Sequence, residues 1–193
     1  MANKPLNNLP DDLRHKLRMI NQAVKRDIPI VIGKTAVDQF RENFRLEGFL
    51  NGGLHKWKDV KRRDSKSPWY GFEYKGEHRT SYKLSRDRKT GKTKKAQKQK
   101  LLNFSVTATV RKPLSSKRME LYNSLRYTAG AGMVSISSDK PYAQVHNEGG
   151  TIQVFGKHPV KLPARPFMGQ SKELDTKVSQ EIEKQLNNIF NQQ

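Results

Sequence analysis

Apolar residues recur at spacings of three and four through Leu13, Leu17, Ile20 and Val24, which sets them on one face of a helix. Asp11 and Asp12 fall in its first turn, where acidic groups suit the helix dipole. Asp27 and Pro29 predict its end, because a residue before proline avoids the α region. Ile30, Val31 and Ile32 then read as a short strand or buried linker. Gly33 introduces a second helix, with Thr35 as N-cap and Val37, Phe40 and Phe44 as its apolar stripe. Gly48 is its natural stop, and Gly52-Gly53 mark a loop. Order returns at Phe104, where Phe104, Val106, Ala108 and Val110 alternate with Ser105, Thr107 and Thr109 in a half-buried strand pattern. Lys117 to Leu125 reads as helical. Met133 to Ser137 reads as a strand with Val134 and Ile136 on one face. Tyr142 to His146 is a turn or helical piece broken by Gly149-Gly150. Thr151 to Phe155 and Val160 to Leu162 pair across a turn at Gly156-Lys157. The last helix is capped by Ser171 and striped by Leu174, Val178, Ile182, Leu186 and Ile189. The sum is an α+β fold: a small antiparallel sheet packed with an N-terminal helix and a long C-terminal helix.

Composition adds a second feature. Apolar residues with glycine make up about 41% of the 193 residues, below the usual ~45–50%, so part of the chain lies outside a packed core. Residues 56–100 hold 17 Lys and Arg against 5 Asp and Glu, which is +12 of the total +20. From Ser85 to Lys100 the only apolar residue is Ala96, so this half predicts a solvated, mobile loop or arm. There is no cysteine, no run of 18 apolar residues and no secretory h-region at Met1–Pro5. A net charge of +20 attracts polyanions: nucleic acid, anionic membrane or an acidic protein surface.

Each hint of chemistry has a plainer reading. Thr90-Gly91-Lys92-Thr93 matches the end of a phosphate-binding loop, but Arg86 stands where its first glycine belongs. His146, Glu148 and His158 lack the spacing of a helical zinc site. His146-Asn147 opens like an HNH nuclease string, with no supporting cluster after it. No Gly-x-Ser-x-Gly elbow occurs, and Asp11 and Asp12, being adjacent, do not face each other on a helix. No catalytic residue, cofactor or metal site is predicted. Arg86, Arg88, Lys89, Lys92, Lys94, Lys95, Lys98 and Lys100 are candidates for contact with nucleic acid or an acidic partner. Such contacts hold phosphates without reading sequence. Trp69, Tyr70 and Tyr74 either stack on bases or anchor the loop to the core.

The last third carries a resemblance. Pro141-Tyr142-Ala143-Gln144-Val145-His146-Asn147-Glu148-Gly149-Gly150-Thr151-Ile152 precedes Leu162-Pro163-Ala164-Arg165-Pro166-Phe167-Met168-Gly169, and an amphipathic helix follows. Asn43-Phe44, Gly48-Phe49, Trp57 and Leu121-Tyr122-Asn123-Ser124-Leu125 fit the same pattern. The chain resembles the phage virion-morphogenesis family, best known from tail-completion proteins of Mu-like phages. The match covers roughly residues 30–60 and 117–190. Residues 61–116 read as a basic insertion within a single α+β domain of residues 30–193, and residues 1–29 as an N-terminal helical extension.

The resemblance implies a non-enzymatic structural protein of the virion, assembled in the host cytoplasm and acting in tail completion or head–tail joining. Its implied partners are other head and tail proteins and further copies of itself, as a ring. Any contact with DNA is expected to be non-specific, and no membrane partner is expected. The candidate interface residues are Tyr142, His146, Gly149, Gly150, Arg165, Pro166, Phe167 and Gly169. Prolines 163 and 166 remove two backbone donors, which suits a surface edge or subunit contact. Arg165 is either a bidentate partner for a carboxylate across an interface or a solvated charge. The alternative reading is a nucleic-acid-binding accessory protein using residues 85–100.

Overall fold

The structure, a computed structural model, describes residues 10–83, 86–93, 97–154 and 158–191. The chain divides into two compact units, one of Met1–Trp57 with Leu114–Gln193 and one of Lys58–Pro113.

In the first unit, α1 (Asp11–Gln22) runs through a π turn (Ala23–Asp27) straight into α2 (Ile28–Leu46). The predicted stop at Asp27 and Pro29, the strand at Ile30–Ile32 and the fresh start at Thr35 are all absent. Proline lacks a donor and its ring crowds the carbonyl four residues back. The π turn relieves both problems. The Ile28 N–H reaches the Ala23 carbonyl, five residues back, and Pro29 falls in the first turn of α2, where no donor is needed. Gly33 sits inside α2 because a Cβ there would overlap the Tyr127 ring. The helix stops at Glu47, which is left-handed (φ 54°, ψ 42°), and not at Gly48. Gly48 opens β1 (Gly48–Leu50), paired with β2 (Leu54–Lys56) across the Gly52-Gly53 turn. It is glycine because a Cβ would lie 2.7 Å from the His55 carbonyl oxygen.

The second unit holds β3 (Phe72–Glu77), β4 (Thr80–Lys83), β5 (Gln97–Lys100) and α3 (Val106–Val110). β4 and β5 are antiparallel partners, so Gln97–Lys100 is strand where a loop is predicted. Phe104 bridges to Phe72 and Glu77, but the predicted strand beyond it is the short helix α3. An alternation of three residues does not separate strand from helix. On a helix it puts Val106 and Val110 on one side and Ala108 on the other. The valines are 71% and 72% exposed, and Ala108 is fully buried. Gly71 is left-handed and has no room for a Cβ beside the Phe104 ring. Arg111 pairs with Glu73 at 2.9 Å, and Arg62 Nη2 donates to the carbonyls of Arg111 and Lys112.

The chain then returns to the first unit with α4 (Glu120–Asn123), β6 (Leu125–Gly130) and β7 (Met133–Ser138). The predicted helix from Lys117 to Leu125 shrinks to α4, because Met119 is left-handed (φ 52°) and Leu125 already belongs to β6. The strand β6 is not among the predicted elements, although Leu125, Tyr127 and Ala129 alternate with Arg126, Thr128 and Gly130. Its partner β7 follows the predicted pattern, with Val134 and Ile136 turned inward. After α5 (Ala143–Glu148) come β8 (Gly150–Val154) and β9 (His158–Leu162), an antiparallel pair as predicted. The proposed turn residues Gly156-Lys157, with Phe155, lie outside the described residues. α6 (Lys172–Asn191) closes the chain, capped by the Ser171 hydroxyl, which accepts from the Leu174 N–H at 3.2 Å. Eight of the nine described strands form four two-stranded antiparallel ribbons, and β3 makes only the bridges to Phe104. The core joins Val37, Phe40 and Phe44 of α2 to Trp57, Leu121, Leu125, Ala143 and Phe167. A second cluster ties the π turn and the start of α2 to Ile189 of α6.

Candidate functional site

The residues that carry the resemblance converge on one place. Gly149 ends α5 with φ 77° and ψ 178°, a backbone region almost confined to glycine. A Cβ there would lie 2.8 Å from the Ala164 nitrogen. The absence of a side chain therefore lets residues 163–168 lie against the end of α5. That segment is extended but pairs with no strand. Its polar backbone is satisfied piece by piece. The Arg165 N–H donates to the His146 carbonyl at 2.8 Å. Asn147 Oδ1 accepts from both the Phe167 and Met168 N–H groups, at 2.9 and 3.0 Å. The Trp57 indole N–H donates to the Pro166 carbonyl at 2.7 Å. Asn43 Nδ2 donates to the Phe167 carbonyl at 3.1 Å, and its Oδ1 accepts from the Leu50 N–H at 3.2 Å.

This accounting explains why two prolines are tolerated here. Arg165 and Phe167 turn inward, while Ala164 is exposed and Pro163, Pro166 and Met168 are partly covered. Phe167 is 0% exposed. Its ring lies 5.1 Å from that of Phe44, which meets Trp57 and Tyr122 edge-on at 5.7 and 5.8 Å. Arg165 is 6% exposed, so it is neither a solvated charge nor a fork held out to a neighbouring subunit. Its charge and the burial of His146 both act on that imidazole. Burial is the larger cause, and together they hold His146 below the ordinary histidine value, hence neutral at pH 7. His146 Nδ1 is buried with no hydrogen bond. Tyr142 packs edge-on against His146 at 5.8 Å, as their four-residue spacing predicts. Burial raises the Tyr142 hydroxyl, with the Glu120 carboxylate as the next cause. Gly150 continues into β8, and Gly169 follows residues 163–168.

The contacts among these groups build a scaffold. A shallow depression of about 320 Å³ lies on the outer side of α5, between Pro141, Gln144, Glu148 and Met168. Among the described residues no three His, Asp or Glu side chains stand close enough to hold a metal ion. None of the described helices is long and apolar enough to cross a membrane.

Asn147, Trp57 and Asn43 are the positioning residues that pattern reading did not single out. All three lie in strings quoted for the resemblance, but nothing in those strings says which backbone atoms they serve. The partners of Asn43 and Trp57 lie 124 and 109 residues away. A further pair had no signal at all. Glu173 accepts from the Gly52 and Gly53 N–H groups at 3.1 and 3.2 Å, pinning the β1–β2 turn to α6. The Glu173 carboxyl is held below its ordinary value first by its own backbone N–H, with the Gly52 and Gly53 N–H groups adding to the effect.

The basic candidates lie in the second unit. Arg86 bridges Thr93, and the turn between them exposes Arg88, Lys89 and Lys92. Lys94 and Lys95 lie outside the described residues. Lys98 and Lys100 belong to the β5 backbone, with side chains outside the description. Trp69 packs edge-on against Phe72 at 5.3 Å and Tyr70 meets Phe104 at 6.1 Å, and both rings keep an exposed face. Tyr74 is 75% exposed.

No curated protein and no solved structure matches this chain. A family model described as the phage virion morphogenesis family matches residues 77–187, more than half of the chain. The match takes in residues 77–116, which the sequence reading sets apart as an insertion, and it leaves out residues 30–60. With residues 163–168, α5 and Asn147 inside the matched range, the chain belongs to the phage virion morphogenesis family.

Proposed function

We propose that the chain is a structural phage protein that completes the tail or joins it to the head. It works through oligomerisation and contacts with other head and tail proteins, and not through catalysis. The observation that supports this most is the use to which the family strings are put. Gly149, Asn147, Trp57 and Phe167 serve one another across the first unit, so these residues of the strings hold the fold together. In this reading the protein is assembled in the host cytoplasm and ends in the virion. The test is a phage or prophage carrying a stop codon early in this gene. The expected result is heads and tails that form but do not join, with infectivity restored by the gene supplied in trans. Joined, infectious particles made without the protein would overturn the reading.

A second reading rests on the unit Lys58–Pro113, which carries 18 Lys and Arg against 5 Asp and Glu. Such a unit holds DNA by phosphate contacts alone. Binding to duplex DNA should then fall steeply with salt. Replacing Arg86, Arg88, Lys89 and Lys92 by glutamine should lower the slope of log K against log salt by roughly 0.9 per lost contact. Binding absent at low salt, or indifferent to salt, removes the DNA contact and leaves an acidic protein surface as the partner of this unit.

A further inference from the structure

Two-stranded ribbons are marginal in water unless a face is packed or the sheet continues. In the β8–β9 ribbon the described side chains of Thr151, Gln153, His158, Pro159, Val160 and Lys161 are exposed, and only Ile152 and Leu162 are partly covered. Antiparallel pairs alternate between those that exchange backbone hydrogen bonds and those whose polar groups face outward. Pro159, opposite Gln153, has no N–H to exchange. The ladder bonds therefore fall on Gly150–Leu162, Ile152–Val160 and Val154–His158. The backbone groups of Thr151 and Gln153 then face the outer edge of β8. On the other side, the outer edge of β9 is blunted by Pro159 itself and carries Lys161, the two devices that stop further strand addition.

The β6–β7 ribbon has the same asymmetry. Its closing pair is Gly130–Met133, across a two-residue turn, so the outward backbone groups of β7 belong to Val134, Ile136 and Ser138. β6 carries Arg126, whereas β7 has neither charge nor proline. Among the described residues neither β7 nor β8 pairs with a strand beyond its own hairpin. In a chain of net charge +20, a second copy is repelled by most of the surface. The uncharged, proline-free edges of β7 and β8 are where that repulsion is least and backbone donors and acceptors stand free.

We propose that β8 of one copy adds in parallel to β7 of the next, extending the sheet from one protomer into its neighbour and setting Thr151 beside Ser135. The two edges differ, so the contact is heterologous and joins copies head to tail. This rests on the assembly reading above and names the surface that carries it.

The chain lacks cysteine, so introduced thiols report cleanly. Thr151→Cys and Ser135→Cys, both exposed, are co-expressed in cells producing the phage. Particles are purified, oxidised with copper phenanthroline and run without reductant. A mixed disulfide dimer is expected, with either variant alone giving none. Protein present in particles without the mixed dimer overturns the pairing and leaves the assembly reading standing. Protein absent from particles overturns both. A dimer from Thr151→Cys alone assigns β8 to itself and overturns the choice of β7.

Purified full chain supplies the second readout, its mass by light scattering. Gln153→Pro removes an outward donor and leaves the ladder to β9 intact, so higher-mass species should be lost. Lys161→Pro, on the edge already blunted, should leave the mass unchanged. Wild-type mass retained in Gln153→Pro overturns the inference.

Discussion

Phe167→Ala is expected to lower the unfolding free energy of the first unit by about 3–5 kcal/mol, the cost of emptying a fully buried aromatic site. The ring is 0% exposed and rests 5.1 Å from Phe44. Its backbone is tied on both sides, by Asn147 to its N–H and by Asn43 to its carbonyl. The surroundings therefore have little freedom to collapse into the space. The loss also reaches beyond one side chain. Phe44 packs on Trp57 and Tyr122 as well as on Phe167, so a shift of Phe44 loosens three elements at once. Urea unfolding followed by tryptophan fluorescence measures this directly. The chain has two tryptophans, and Trp69 belongs to the other unit, so the measurement is made in a Trp69→Phe background with Trp57 as the reporter. Phe167→Leu, which keeps most of the volume, should cost about 1.5 kcal/mol or less. A loss below about 1 kcal/mol in Phe167→Ala would mean that residues 163–168 are not seated as described.

Gly149→Ala is expected to cost about 3 kcal/mol, from two sources. One is backbone strain, because φ 77° with ψ 178° is hostile to any side chain. The other is the close approach of the Ala164 backbone, 2.8 Å from the added carbon. Gly132 has a similar φ of 71° but nothing within 4 Å of a Cβ. Gly132→Ala should therefore cost only about 1–2 kcal/mol, the left-handed penalty alone. The difference between the two, read from urea midpoints at equal m, combines the harsher ψ of Gly149 with the contact at Ala164. Equal losses would mean that neither adds to the left-handed penalty.

Much of this fold follows from local pattern. The stripe of α2, the cap and stripe of α6, the inward face of β7, the break at Gly149 and the β8–β9 hairpin are all visible in the order of residues. Each depends on interactions between neighbours a few positions apart: helical spacing, strand alternation, a cap hydroxyl or a glycine stop. The failures have a common cause. Asp27 and Pro29 look like a helix end, yet α2 continues because Phe40, Phe44 and their partners hold its register and a π turn absorbs the missing donor. Val106, Ala108 and Val110 alternate like a strand, yet a single buried alanine decides for a helix. Gly33 looks like a helix start, yet it is the contact point for Tyr127.

The sequence alone determined the charge, the lack of thiols, the element types with strong periodicity and the strings that mark the family. Those properties are sums over residues or spacings along the chain, and they need no third dimension. Only the tertiary structure decided what the strings are for. Arg165, whose charge suggested a surface, is buried, and the two-proline segment, which looked like an edge, sends Phe167 into the core. Asn43, Trp57 and Asn147 show their roles only once the chain has brought distant backbone atoms within hydrogen-bond reach. Burial and pairing belong to the folded arrangement, and a residue's type does not say which carbonyl it will meet.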